Sequence, residues 1–285
     1  MARKSIFEIL EEKYDIKNEF DIINGLFSQP SITVYSHYNQ GTLISLEKAI
    51  DATCFYAWKQ RFGCINLADM KEKIGIGNND CSPLENMLVN LEYFCNIIYL
   101  ANTKLSYSSF QVQFTCQKTQ QFIMLEDNIK LLLEHLNYEQ IIEKEAEKVI
   151  LVPKNPAATA VAEISSKDTA FAILKYHHAS LKGQLEEKRK LLLSIANEYE
   201  PLLKRPIDGF KDYFDKATNM LNNMNIRHNN KSGNNKKELV AQMNDEELEN
   251  WYDELYQLLL FCILIKDNKD RKDRIDELLK KVNSK

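Results

Sequence analysis

Glycine and proline are scarce in this chain, with 8 and 6 among 285 residues. An all-β protein needs frequent turns, and turns draw on both residues, so the shortage argues for long helices. Cysteine is limited to six, at 54, 64, 81, 95, 116 and 262, and no two form a C-x-x-C pair. That spacing excludes the common zinc and dithiol motifs. Most of the six fall in apolar, helix-like runs, where cysteine behaves as a small buried hydrophobe. The opening "MARKSIFEILEEKYD" turns acidic too early for a signal peptide. A reduced, cytoplasmic protein without structural disulfides is expected. Long apolar runs are missing too: the longest, "LLLFCILI" at 258–265, is far shorter than the roughly 18 residues that span a bilayer. Nor is there a cationic excess. The formal charge of −4 implies no global attraction to nucleic acid or to an anionic membrane.

Signature motifs are equally sparse. No H-E-x-x-H, G-x-x-x-x-G-K-[ST] or G-x-S-x-G occurs. "GIGNND" (75–80) has two glycines of a dinucleotide loop but not the third, and reads as a helix cap. "EEKRK" (186–190) reads as a solvated helix face. His177 and His178 are adjacent, so on a helix they point about 100° apart and do not suit one metal ion. No metal and no cofactor are expected.

What is present is helical texture. Apolar residues make up 44% and charged residues 27%, enough for a sizeable core. The length is near the limit for one core, so one large domain or two intimate ones are both reasonable. "SIFE" (5–8) fits a capping box of Ser5 with Glu8. Helical patterns follow at 18–27, 42–61 and from 66. Another starts at Ser82 and Pro83, with Leu84, Met87, Leu88, Leu91, Cys95 and Ile98 at steps of three or four. "SITVY" (31–35) is short enough to be strand or extended loop. Residues 109–117 alternate Phe110, Val112, Phe114 and Cys116 and read as a half-buried strand. A helix at 120–136 precedes "KVILVPKNPAATAVAEI" (148–164), whose two apolar runs around "PKNP" read as a β-hairpin.

In the last third, Phe210, Phe214, Ala217, Leu221 and Met224 form a stripe. A later helix opens with Asn244 and Glu247 as a capping box and Met243 and Leu248 as a staple. Leu248, Trp251, Leu255, Leu258, Cys262 and Ile265 are expected to face inward. The near-continuous apolar texture of 248–265 also suits a homo-oligomer or partner-protein interface. The tail "KDRKDRIDELLKK" (269–281) reads as a short exposed helix. The expected fold is mainly α, a multi-helix bundle with one small β-hairpin. Its expected division is an N-terminal helical region, 1–145, and a C-terminal one, 146–285.

One stretch stands apart. "LNNMNIRHNNKSGNN" (221–235) holds seven asparagines around an Arg–His pair. If the 210–224 helix continues one more turn, His228 falls on its inward stripe with Arg227 beside it. Glu249 and Asp253, four apart on the next helix, would then support Arg227. The cations Arg227, Lys231, Lys236 and Lys237 make a local anion-attracting patch. Arginine grips phosphate bidentately, histidine transfers protons near neutral pH, and amides read hydroxyls or base edges. The alternative is a helix stop: basic residues favour a helix C-terminus and asparagine tolerates the left-handed cap.

The sequence "LNNMNIRHNN" followed by "LENWYDELYQLLLFCILI" resembles the HEPN superfamily of bacterial defence and toxin proteins. It is also similar to the C-terminal part of helical abortive-infection (phage-defence) proteins, the likeness spanning the helix pair 207–266. That resemblance implies a helical bundle, often dimeric, with a metal-independent ribonuclease site across the dimer. On this chain the implied catalytic residues are Arg227, His228 and Asn229. Arg227, Asn230, Lys231, Lys236 and Lys237 would contact RNA or another phosphate. The superfamily motif separates its Arg and His by several residues, whereas here they adjoin. A non-catalytic relative that binds RNA or a protein fits that difference. An enzyme site assembled from distant residues is also open.

Overall fold

The computed structural model describes residues 5–6, 13–36, 39–76, 83–105 and 115–283. The Ser5–Glu8 capping box, His37, Cys81, Ser82 and the Phe110–Phe114 alternation lie wholly or partly outside them. The described chain is mainly helical with two small antiparallel sheets. It forms two compact units, Met1–Pro153 and Lys154–Lys285, so the division falls at 153/154 and not at 145/146.

The first unit is built on α4 (Leu84–Lys104), which is buried on several sides. It follows α1 (Ile16–Ser28), α2 (Leu46–Thr53) and α3 (Leu67–Ile74), and α5 (Gln120–His135) comes after it. Phe27 of α1 stacks on Phe94 of α4 with ring centroids 4.1 Å apart. Strands β1 (Pro30–Ser36), β2 (Asn39–Ser45) and β3 (Thr115–Lys118) form a sheet in the order β2-β1-β3. "SITVY" is therefore the central strand. The expected helix over 42–61 instead begins at Leu46, because Thr42–Ile44 pair with Val34–Ile32 of β1. Ser45 then caps α2 through its hydroxyl, which accepts from Lys48 N–H.

The hairpin also differs from expectation. β5 (Lys148–Pro153) pairs with the segment before it, β4 (Tyr138–Glu143), and not with 156–164. Residues Pro156–Glu163 are a helix, α6. The Asn155 side chain accepts from the N–H groups of Ala157 and Ala158, and Pro156 occupies the first turn. Asparagine cap, proline start and an alanine-rich body favour a helix over any alternation of small apolar residues. The backbone of β5 that β4 leaves unpaired is taken by α4. Asn96 donates to Val149 C=O at 2.7 Å and accepts from Val149 N–H at 2.9 Å, and Glu92 accepts from Leu151 N–H at 2.8 Å.

The second unit wraps α12 (Asp245–Asn283), a single unbroken helix. Around it lie α6, α7 (Lys167–Lys175), α8 (Leu185–Glu198), the one-turn α9 (Glu200–Leu203), α10 (Lys211–Asn223) and the short α11 (Glu238–Gln242). The Asn244–Glu247 capping box forms reciprocally, at 2.9 and 3.0 Å. Met243 and Leu248 both pack into the unit's core. The buried residues are Leu248, Tyr252, Leu255, Tyr256, Leu259, Leu260, Cys262 and Ile263. Of the six residues expected inward, Leu248, Leu255 and Cys262 are buried and Leu258 and Ile265 pack against the core, but Trp251 is 46% exposed. Two phenols anchor the buried side: Tyr256 donates to Ile173 C=O at 2.8 Å and Tyr252 to Asn225 C=O at 3.2 Å. A buried tyrosine hydroxyl usually finds such a partner. The buried side of 248–265 is thus part of the unit's own core. The tail is no separate helix but the far half of α12.

Replacing Asn96 by Leu leaves the Val149 N–H and C=O unpaired against an apolar side chain. The expected loss is about 2–3 kcal/mol of stability, read from urea unfolding monitored by tryptophan fluorescence.

Candidate functional site

The helix α10 stops before the Arg–His pair. Met224 is its C-cap, and Asn225 adopts φ +60°. This left-handed turn ends many helices and suits asparagine. It takes Arg227 and His228 off the helix, so neither falls on the expected stripe. The amides then close the loop on itself. Asn225 and Asn230 exchange side-chain-to-backbone bonds: Asn230 Oδ1 accepts from Asn225 N–H at 2.8 Å, and Asn225 Oδ1 accepts from Asn230 N–H at 3.0 Å. Asn230, only 1% exposed, also donates to Asn235 C=O, while its own carbonyl accepts from Lys237 N–H. Asn229 accepts from the N–H groups of Lys231 and Ser232 and donates to Ser232 Oγ. Ile226 is fully buried, and its carbonyl accepts from Arg189 Nε at 2.8 Å.

The cations are engaged within the chain as well. The Arg227 guanidinium pairs with Glu200 and bonds Asn222 Oδ1 at 3.4 Å. Its expected acids, Glu249 and Asp253, are not its partners. Lys204 and Arg227 together outweigh the burial that by itself raises the Glu200 carboxyl, and leave it below the ordinary carboxylate range. Lys231 meets Asp245 at 3.1 Å and Lys236 meets Glu238 at 2.9 Å, both pairs at the surface. His228 and Lys237 are exposed, and their side chains have no partner among the described residues.

Glu249 and Asp253 serve a different lysine. Lys188, on α8, is 4% exposed and places its ammonium 2.8 Å from Glu249 and 2.7 Å from Asp253. Glu249 also accepts from Gly183 N–H, at 2.9 Å. The ammonium lies 5.2 Å over the Tyr176 ring, which stacks on Tyr256 at 4.1 Å, and His177 meets Tyr256 edge-on. Burial raises the Glu249 carboxyl, but the bonds from Lys188 and Gly183 outweigh it and hold the group below its ordinary range. Burial leads in lowering His177, against the opposing pull of Asp253. Burial, reinforced by Asp253, raises the Tyr176 phenol. Tyr176 is fully buried and its hydroxyl makes no aligned hydrogen bond, although Asp253 lies close enough to act on it.

"EEKRK" is therefore not a wholly solvated face. The clue was in the spacing: Lys188 stands on the stripe of Leu185, Leu192 and Ile195, where an apolar residue belongs. His178 caps a 3-10 turn through Ser180, apart from His177. Among the described residues no three His, Cys, Asp or Glu gather to hold a metal ion. Cys54, Cys64, Cys95, Cys116 and Cys262 are free thiols. The first unit has a groove of about 380 Å³ between α4, α5 and the β4–β5 hairpin, rimmed by Tyr99, Asn102, Glu126 and Gln140. None of the sequence-predicted site residues lines it. No helix among the described residues is long and apolar enough to cross a membrane. The chain matches no protein-family model, no curated protein and no solved structure.

The Lys188 cluster makes an acid-stability prediction. The depressed Glu249 contributes stability that is complete above its unfolded value, near 4.5, and is lost as pH falls through its lower folded value. Wild type should lose stability from about pH 4.5 downward. Lys188→Met leaves two carboxylates uncompensated and should cost about 3–5 kcal/mol at pH 7, with the loss shrinking in acid. Thermal melts of both proteins at pH 7 and pH 4 measure the difference.

Proposed function

We propose that the chain is a non-catalytic helical interaction module whose contact surface is the outer half of α12. The support is one observation. From Arg271 to Asn283 every residue of this helix is exposed, and Ile275, Leu278, Leu279 and Val282 line one side of it at 49–60% exposure. An amphipathic stripe presented to water at steps of three and four is the form in which helices recognise partners. On the resemblance of 207–266 to HEPN proteins, the role is that of a non-catalytic relative in bacterial defence. The internal pairing of Arg227, Asn229 and Asn230 counts against a cleaving site, since none is aimed at an outside phosphate.

A second reading, contact with RNA or another phosphate-bearing ligand, is favoured by the exposed and unpartnered His228 and Lys237 beside Lys231 and Lys236. It predicts affinity that falls steeply with salt. On that reading, Lys237→Ala and His228→Ala weaken RNA binding without affecting stability. Arg227→Ala would instead act through the fold, at about 1–2 kcal/mol, because it strands Glu200. Fluorescence anisotropy with single-stranded RNA, alongside melts of the three variants, separates the two roles.

For the leading reading, Ile275, Leu278, Leu279 and Val282 are all changed to Gln in a tagged chain. Cross-linking in intact cells that overproduce the chain should trap wild type in a larger species and leave the variant at monomer size, with melting temperatures equal within error. Wild type that cross-links into nothing larger in cells sinks the module reading.

A further inference from the structure

The exposed segment of α12 reads I-D-E-L-L-K-K-V from Ile275 to Val282. Its apolar residues are symmetric about the Leu278–Leu279 bond, and its charges are antisymmetric. We propose that this segment pairs antiparallel with the same segment of a second copy of the chain. The proposal rests on the interaction-module reading and names its partner.

The geometry follows from the helical period. With about 100° per residue, Ile275, Leu278, Leu279 and Val282 fall within an arc of about 100°. Asp276 and Lys280 flank one edge of that arc, and Glu277 and Lys281 flank the other. A twofold axis that sets two such helices antiparallel keeps each edge against its own counterpart, run in the opposite direction. Ile275 then meets Val282 of the second copy, and Leu278 meets its Leu279. On one edge Asp276 faces Lys280 of the second copy, and on the other Glu277 faces Lys281, which gives four pairs of opposite charge across the twofold. A parallel pairing brings unlike edges together instead. Asp276 then faces Glu277 and Lys280 faces Lys281, so every flanking contact is repulsive. Flanking charges set partner and orientation in paired helices in this way.

The seam is short. One turn earlier the stripe positions hold Asn268, Arg271 and Lys272, and Arg271 is bound to Asp267 of its own helix. Two turns of contact bury well under the ~1,200 Å² of a standard stable interface. The dimer is therefore weak, with a dissociation constant on the order of 100 µM.

Sedimentation equilibrium of the full chain, from 10 µM to about 1 mM, reads this directly. The weight-average mass should rise from 33.2 kDa toward twice that value. Leu278→Gln with Leu279→Gln should weaken association at least tenfold. Asp276→Lys with Glu277→Lys gives an all-basic segment, and Lys280→Glu with Lys281→Glu an all-acidic one. Each should be monomeric alone, and an equimolar mixture should dimerise. For orientation, copies carrying Ile275→Cys should cross-link to copies carrying Val282→Cys faster than either cross-links to itself. A chain monomeric throughout, a dimer indifferent to the leucine changes, or faster self-cross-linking of one cysteine variant overturns the proposal. If the purified chain is monomeric while its cross-linked species in cells still depends on the stripe, the second copy is the wrong partner but the module reading stands. Loss of both removes both.

Discussion

The second unit depends on the requirement that a buried ammonium be answered. Lys188 occupies a position on α8 that its neighbours' spacing assigns to the core. Stripped of water, such a charge is tolerable only against opposite charge at hydrogen-bond distance. Glu249 and Asp253 supply it from one face of α12, and Gly183 anchors Glu249 from the chain just before α8. A shift of α8 along α12 by one residue would separate these groups. The ion pairs therefore fix the register in which the surrounding apolar side chains pack. The aromatic stack of Tyr176 and Tyr256 closes the same place from the side of α7.

The asparagine-rich stretch shows the same economy on a smaller scale. A loop that must leave a helix, turn back and present Ile226 inward exposes many backbone groups that no ladder satisfies. Carboxamides carry both a donor and an acceptor, so a few of them satisfy a loop that ionised acids, which only accept, would leave half-paired. Asn225 and Asn230 do this for each other, and Asn229 does it for the turn that follows. The path of the chain accounts for Asn225, Asn229 and Asn230.

Much of the fold was legible because it rests on local signals. The Asn244–Glu247 cap and the spacing of α4 state their own structure. Errors arose where two local signals compete or where the deciding contact is distant. Residues 156–163 alternate like a strand, yet Asn155 and Pro156 start a helix more strongly than alternation of small residues opposes it. On α12 the expected inward residues lie in or against the core except Trp251, and the neighbouring Tyr252 is held inward by Asn225, far away in sequence. Arg227 pairs not with Glu249 or Asp253 but with Glu200, on a one-turn helix that periodicity does not mark. Lys188 stands in a run of charges that looks solvated until the stripe it interrupts is counted.

α12 runs through its 39 residues without a glycine or proline. At 1.5 Å per residue that is a rod of about 58 Å, its first half clamped in the core and its second half free of it. Nothing in the composition offers a hinge between the halves. Force or torque applied to the outer end is therefore delivered to the Tyr252 and Tyr256 anchors as a lever delivers load to its fulcrum. Whatever takes hold of the rod handles the whole second unit as a rigid body.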